Sequence, residues 1–431
     1  MFDARATIFA KSSGSGRAGV SVFRISGPRA GEALEAFCGK RGEPRKAHLR
    51  SIRLQDGSLL DQGLTLWFPG PDSFTGEDVA ELQLHGSPAV ERALMDALVA
   101  FGLQPAAAGE FTMRAFEAGK LDLTQAEALA DLLDAETEAQ RRQALGQLGG
   151  RLSERAGEWR RLLLTALAAI EAGVDFPDEE DVPAAIETAA IQPLIEMLAD
   201  MRQALGKAAG ARTVREGLTV AISGPPNVGK SSLLNRIAGE ERAIVSDRAG
   251  TTRDVLEIRA DIGGQLVTLL DTAGLREDTE DEIEREGMRR ARRAVAQADI
   301  RILVWDGEGQ MPERGSADLL LLNKADLRNG GPPEGWTGLS VRTGEGWENF
   351  LMRLRNLVLR SAGIGDLTRE RHVALVEYVV RELEPALSGH LPPELLGEEI
   401  RVVLRKLDEL TGQLAPDEVL GEIFSSFCIG K

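Results

Sequence analysis

The feature that most constrains this chain is the run Gly224-Pro225-Pro226-Asn227-Val228-Gly229-Lys230-Ser231. It fits G-x-x-x-x-G-K-[ST], follows the apolar run LTVAIS (218–223) and precedes the helix-like run SLLNRIAG. Strand, glycine-rich turn and helix in that order aim a row of backbone N–H groups out of a helix N-terminus, which cradles phosphate. Lys230 then brings a positive charge to the β- and γ-phosphates, and the Ser231 hydroxyl is the expected Mg²⁺ ligand. From Leu218 to about Arg360 strands alternate with helices, which predicts a parallel sheet with helices on both faces.

Three further motifs follow in order. Gly250-Thr251-Thr252-Arg253-Asp254 is a switch-like loop whose threonine can complete Mg²⁺ coordination. Asp271-Thr272-Ala273-Gly274 closes the strand LVTLL and suits a carboxylate reaching Mg²⁺ through water, with a Gly amide on the γ-phosphate. Asn323-Lys324-Ala325-Asp326 closes DLLLL and matches the guanine-reading N-K-x-D pattern, in which the Asp carboxylate accepts from two guanine N–H donors. Adenine lacks that donor pair, so the motif points to GTP. Ser340-Val341-Arg342 stands where a last base-contacting loop belongs. The expected nucleotide contacts are Asn227, Val228, Gly229, Lys230, Ser231 and Ser232; Ser246, Asp247, Arg248, Ala249, Gly250, Thr251 and Thr252; Asp271, Thr272, Ala273 and Gly274; and Asn323, Lys324, Asp326, Ser340, Val341 and Arg342.

Leu275 follows Gly274 where Ras-like enzymes carry a water-orienting glutamine. Another group must place water and neutralise charge. A K⁺ ion held by Asn227 and switch-loop carbonyls would supply the charge. Glu284, in the acidic run DEIERE, could orient the water; as a residue on its own it reads rather as part of a solvated helix face.

Length and charge narrow the rest. At about 100–200 residues per domain, 431 residues predict two to four domains. Formal net charge is −17, of which residues 120–431 carry −16 (38 Lys/Arg against 54 Asp/Glu). A uniformly basic nucleic-acid binder is excluded, so RNA contact needs a local basic patch or a partner. The two cysteines, Cys38 and Cys428, are too few for a disulfide framework or a zinc site, and the four histidines are scattered. No signal-like N-terminus and no membrane-length apolar run is seen, so a cytoplasmic protein is expected.

Residues 1–119 alternate short apolar runs with turn signals and predict an α+β domain with a helix near Ala89–Phe101. After Lys120 helix formers dominate, and Thr124 with Glu127 predicts a capping box. A Pro-bearing acidic break (175–183) precedes a helical run at 184–209, and helices return after 366, broken at Pro392-Pro393 and Pro416. The expected organisation is a multidomain α/β plus α chain: domain 1–119, a helical domain from 120–212 and 364–431, and an inserted P-loop domain at 217–361.

The two ends make a family recognisable. The chain finishes Phe427-Cys428-Ile429-Gly430-Lys431, and its N-terminal region carries Gly19-Val20, Arg24-Ile25-Ser26-Gly27, FTGEDVAELQLHGS (74–87) and GEFTMRAFEAGKLDLTQAEALADL (109–132). With the nucleotide motifs, these resemble the MnmE (TrmE) family of tRNA-uridine-modifying GTPases over essentially the whole chain. The resemblance implies an N-terminal tetrahydrofolate-binding domain that forms a homodimer, and G domains that pair in a K⁺-dependent way. It also implies an FAD-dependent partner, MnmG, in a heterotetramer. Together the partners would modify the 5-position of wobble uridine 34 in certain tRNAs, using GTP hydrolysis and a 5-formyl- or 5,10-methylene-tetrahydrofolate. It further implies folate contacts from Arg24, Glu81, Lys120 and Lys431; K⁺ ligation by Asn227, Ser246, Arg248 and Thr251; Mg²⁺ ligation by Ser231 and Thr252; and catalytic parts for Lys230, Asn227 and Glu284. Without the resemblance, Arg24 and Glu81 read as surface charges. Cys428 reads either as a catalytic thiol or as a buried member of the apolar run 423–429.

One departure from the family is visible. Only the eleven residues GEGQMPERGSA separate IRILVWD (300–306) from DLLLLN (318–323). A parallel crossover needs about 10–12 residues, so the helix on that face is expected to be truncated. The alternative function is a regulatory or ribosome-assembly GTPase switch. FCIGK and the N-terminal motifs favour modification, and intact Lys230, Ser231 and Asp271 argue against a folate scaffold without turnover.

Overall fold

The computed structural model describes residues 6–175, 187–244, 257–271, 296–328, 330–388 and 391–430. The chain falls into two compact units, one of residues 1–130, 153–160 and 404–431, the other of 131–152 and 161–403.

The first unit is built on a six-stranded sheet: β1 (Ile8–Lys11), β2 (Ala18–Ser26), β3 (His48–Arg53), β4 (Leu59–Phe68), β5 (Val79–Gly86) and β6 (Gln104–Pro105), in the order β3-β4-β5-β2-β1-β6. Every pairing is antiparallel except β1 with β6. The period-2 pattern of β2 divides its side chains. Ser21, Phe23 and Ile25 are buried, whereas Val22 and Arg24 point to the other face and stay partly open. Phe23 and Ile25 pack with Phe9, Leu82 and Leu84 under the helices α1 (Ala30–Cys38) and α2 (Pro88–Ala100). Burial of each such side chain contributes roughly 1.5–3 kcal/mol. The expected helix near Ala89–Phe101 is α2, started by Ser87, whose hydroxyl accepts from Ala89 N–H, and by Pro88 in its first turn.

Helices α3 (Glu110–Glu117) and α4 (Leu123–Leu133) follow. The Thr124–Glu127 capping box is not what starts α4. Asp122 Oδ1 takes the Gln125 N–H at 2.9 Å, and Gln125 Oε1 takes the Asp122 N–H at 3.0 Å, while the Thr124 hydroxyl donates to Asp122 at 2.7 Å. The carboxylate is the stronger acceptor, so the box sits two residues earlier. A box that the sequence reading passed over starts α5 (Glu138–Leu148), formed by Thr137 and Gln140.

The second unit contains a seven-stranded sheet: β7 (Leu218–Ser223), β8 (Arg242–Ile244), β9 (Glu257–Ile262), β10 (Gln265–Asp271), β11 (Ile300–Trp305), β12 (Leu319–Leu322) and β13 (Thr337–Gly338). The order is β13-β12-β11-β7-β10-β9-β8. The strands run parallel from β13 to β10, and β9 and β8 continue the edge antiparallel. Leu218, Val220, Ile222, Val267 and Leu269 form one core with Leu233 and Ile237 of α8 (Lys230–Glu240) and Phe350 and Leu354 of α9 (Trp347–Ser361). The short connection 307–317 holds no helix. On that side Trp305 and Trp336, their rings 5.6 Å apart, pack with Leu303, Leu320 and Leu322.

Long helices α6 (Arg151–Asp175), α7 (Gln192–Glu216), α10 (Glu370–Ser388) and α11 (Pro393–Thr411) and the shorter α12 (Asp417–Ser425) complete the described α-helices. Within the second unit α5 grips both segments that lead to and from residues 218–361. Gln140 and Gln143 donate side-chain amides to the carbonyls of Arg215 and Ala211, and Gln147 to that of Asp366.

Candidate nucleotide and N-terminal sites

The P-loop turns between β7 and α8, and two glycines in it have no alternative. Gly224 has φ +142°, and a Cβ there would fall 2.1 Å from the Val304 carbonyl oxygen. Gly229 has φ +95°, with a would-be Cβ 2.4 Å from Asn323 Nδ2. Asn227 also adopts a positive φ of 61°, a conformation asparagine tolerates better than most residues. The buried Lys230 bends back so that its ammonium donates to Gly224 O at 2.9 Å and Pro225 O at 2.8 Å. It is thus fixed over the loop whose amides would meet phosphate. Ser231 stands next to it in the first turn of α8, with Val228 buried beneath.

The segments expected to read the base assemble around Asn323, which is 4% exposed. Its amide donates to Val228 O at 2.8 Å, and its carbonyl accepts from Val341 N–H at 3.1 Å. One side chain therefore ties the P-loop to the 340–342 loop. Lys324, at φ 60°, donates to Asp306 at 2.7 Å. Burial works to raise the Asp306 carboxyl, but the Lys324 ammonium and the Glu308 N–H hold it below its ordinary value. Asp306 belongs to this cluster and was missed from sequence; its place just beyond the end of β11 was the available signal. The Asp326 carboxyl is held low by the Ser340 hydroxyl and then by Arg342, whose guanidinium lies 2.9 Å away. Asp326 stays ionised and acceptor-only, as N–H donors require. The fragments 224–231, 323–326 and 340–342 are thus brought together. Ser246, Asp247, Arg248, Ala249, Gly250, Thr251, Thr252, Thr272, Ala273, Gly274 and Glu284 lie outside the described residues. Asp271 ends β10, paired in parallel with Ile222 of β7.

Two of the residues expected to hold folate lie on the face of the N-terminal sheet opposite its α1–α2 core. Arg24 and Glu81 are cross-strand partners on β2 and β5, with Nε and Nη2 of the arginine 3.1 and 2.9 Å from Glu81 Oε1. The Arg24 guanidinium lies 5.3 Å from the Phe74 ring centre and 5.8 Å from that of Phe111. Lys120 is exposed, and its chain passes beside Gly76, whose would-be Cβ falls 3.6 Å from Lys120 Cε. The C-terminus arrives at the same sheet. Ile429 forms an antiparallel bridge with Ala108, and Ser12 Oγ donates to Gly430 O at 3.0 Å. Gly430 has φ +95°, and a Cβ there would strike Lys11 O at 2.2 Å. Phe427 anchors the tail against Phe424, while Cys428 is exposed rather than buried in its apolar run. Lys431 lies outside the described residues. Cys38 differs: burial pushes its thiol up to about 12.

Among the described residues no helix is long and apolar enough to cross a membrane. Residues 7–120 match the family profile described as GTP-binding protein TrmE N-terminus, and residues 123–428 match that of the MnmE helical domain. Curated relatives named tRNA modification GTPase MnmE are similar over nearly the full length. The protein from Rhodopseudomonas palustris is 46% identical over 99% of both chains. That from Phenylobacterium zucineum is 47% identical over 99% of both. That from Gluconacetobacter diazotrophicus is 48% identical over 98% of both.

Proposed function

Since the chain belongs to the MnmE family of tRNA modification GTPases, we propose that it hydrolyses GTP and, with the flavoprotein MnmG, modifies the 5-position of wobble uridine in certain tRNAs using a tetrahydrofolate one-carbon unit. The observation that carries this reading is the docking of the C-terminal tail at Ala108 and Ser12, just beyond β6 and β1 of the sheet that holds Arg24 and Glu81. A regulatory switch has no use for that arrangement.

In this reading the chain works as three parts: 1–119, the helical pair 120–212 with 364–431, and the inserted 217–361. Lys230 holds the β/γ-phosphate charge, and Asp326 selects guanine while Asn323 braces its loop. Ser231 and Thr252 hold Mg²⁺, which supplies Lewis-acid charge stabilisation at the phosphates. Asn227, with Ser246, Arg248 and Thr251, holds K⁺ in place of an arginine finger, and Glu284 orients water. Arg24, Glu81, Lys120 and Lys431 hold the folate. The guanidinium near the Phe74 and Phe111 rings, with the Glu81 carboxylate, suits a flat polar heterocycle, and the cations suit a glutamate tail. The exposed Val20, Leu49 and Leu64 on the N-terminal sheet support a homodimer through that face. The −17 charge fits tRNA contact shared with a partner in the cytoplasm.

Mass spectrometry of wobble uridines from cells lacking this chain, with and without complementation, tests the reading. Loss of the modified base and its return are expected. Normal modification in the deleted cells contradicts it and favours the switch.

A further inference from the structure

Arg114 is 5% exposed and sits in a buried network that the nucleotide chemistry does not use. Its Nη1 donates to Ala6 O at 2.9 Å and to both Glu77 oxygens at 3.1 Å, and its Nη2 donates to Glu110 at 2.8 Å. Each carboxylate then holds a loop. Glu77 Oε2, one of the two oxygens that Arg114 contacts, also accepts from Ser26 Oγ at 2.7 Å, and Ser26 Oγ meets Thr75 Oγ1 at 2.7 Å, next to Phe74. Glu110 Oε2 accepts from Ala107 N–H at 2.9 Å, next to Ala108, the residue bridged to Ile429. Gly109, between them, has no space for a Cβ, which would fall 2.3 Å from Phe424 O.

We propose that Arg114 is a positioning residue that sets the two halves of the N-terminal site in register: through Glu77 the loop bearing Phe74, and through Glu110 the loop on which the C-terminal tail docks. The inference rests on the reading of Arg24, Phe74 and the tail as a folate site. An arginine is required because a planar fork reaches Ala6, Glu77 and, one turn back on its own helix, Glu110 at once, whereas an ammonium is a point charge. A buried cation between two carboxylates persists only when its hydrogen bonds are made, so a change at one carboxylate is felt at the other. That linkage separates the proposal from plain stabilisation of the unit.

The test uses the full chain, wild type against Arg114→Lys and Glu77→Gln, held well below their unfolding temperatures. Three readouts are taken: calorimetric titration with 5-formyl-tetrahydrofolate, hydrogen exchange at the amides of residues 427–430, and GTP hydrolysis. Loss of one or two charge-assisted bonds predicts folate affinity down roughly tenfold to a hundredfold and tail exchange up by a similar factor, with GTP hydrolysis within about twofold. Glu77→Gln lies on the Phe74 side, so faster tail exchange in that variant is the signature of coupling through Arg114. A double variant of Phe74→Ala with Glu77→Gln should lose less affinity than the sum of the two. Wild-type folate affinity with unchanged tail exchange in both variants overturns the proposal, as does strict additivity. If the wild type binds no folate, the reading of the pocket fails, and tail exchange alone decides whether Arg114 positions the tail.

Discussion

Lys230 and Arg24 are both cations held in place by oxygen acceptors of the chain itself, which fixes them over different distances. Lys230 donates to carbonyls five and six residues away. Arg24 pairs with a carboxylate 57 residues away, and the tail on its sheet is tied by a bond spanning 418 residues. A contiguous motif specifies its own backbone, so the phosphate loop has one geometry wherever a strand and helix flank it. The N-terminal site exists only when sheet register, the Phe74 loop and the chain terminus all agree. The first site should therefore fail residue by residue, and the second should fail as a unit.

The largest effect is expected at the P-loop. Hydrolysis should be much faster in K⁺ than in Na⁺, and Asn227→Ala should remove the difference. An arginine finger contributes about 10³–10⁵ in rate, so a substitute charge should have an effect approaching that range. Equal steady-state rates in the two salts contradict it. Next comes base choice. Asp326→Asn turns an acceptor into a mixed donor and acceptor, which should weaken GTP roughly 10²–10⁴-fold and favour xanthosine triphosphate. An unchanged preference in a competition assay would remove Asp326 from the base site.

A smaller, structural effect concerns the inserted region. GTP with Mg²⁺ should bring two such regions together and GDP should release them. The side-chain amides of Gln140, Gln143 and Gln147 then pass that motion to α5. Spin-label distances that are identical with GDP and with a transition-state mimic would count against this. The smallest effect is chemical. With its thiol pushed up to about 12, Cys38 is thiolate at only about one part in 10⁴ at pH 8, while Cys428 is exposed. Ellman's reagent should modify Cys428 first and Cys38 slowly, and equal rates would show that the first unit opens readily.

Legibility in the sequence follows the same contrast. The strand–loop–helix around 224–231 and the motifs at 323–326 and 340–342 could be read in place, because each is short and ends a strand. Asp306 shares that placement at a strand end, but nothing local announces that it will meet Lys324. The Thr124–Glu127 box misled because Asp122 offered a better acceptor two residues earlier. The shortened 307–317 connection predicted a truncated helix where the structure has none, and did not predict that Trp305 and Trp336 would pack there. Arg24, Glu81 and the tail carried meaning only through the family resemblance, since 57 and 418 residues of separation leave no periodic trace.

Deleting residues 428–431 and measuring GTP hydrolysis beside calorimetric 5-formyl-tetrahydrofolate binding tests the separation of the two sites most directly. The account predicts a GTPase rate within about twofold of the full chain, weakened folate binding and no tRNA modification. Unaltered folate affinity, or a collapse of GTP hydrolysis, would contradict it.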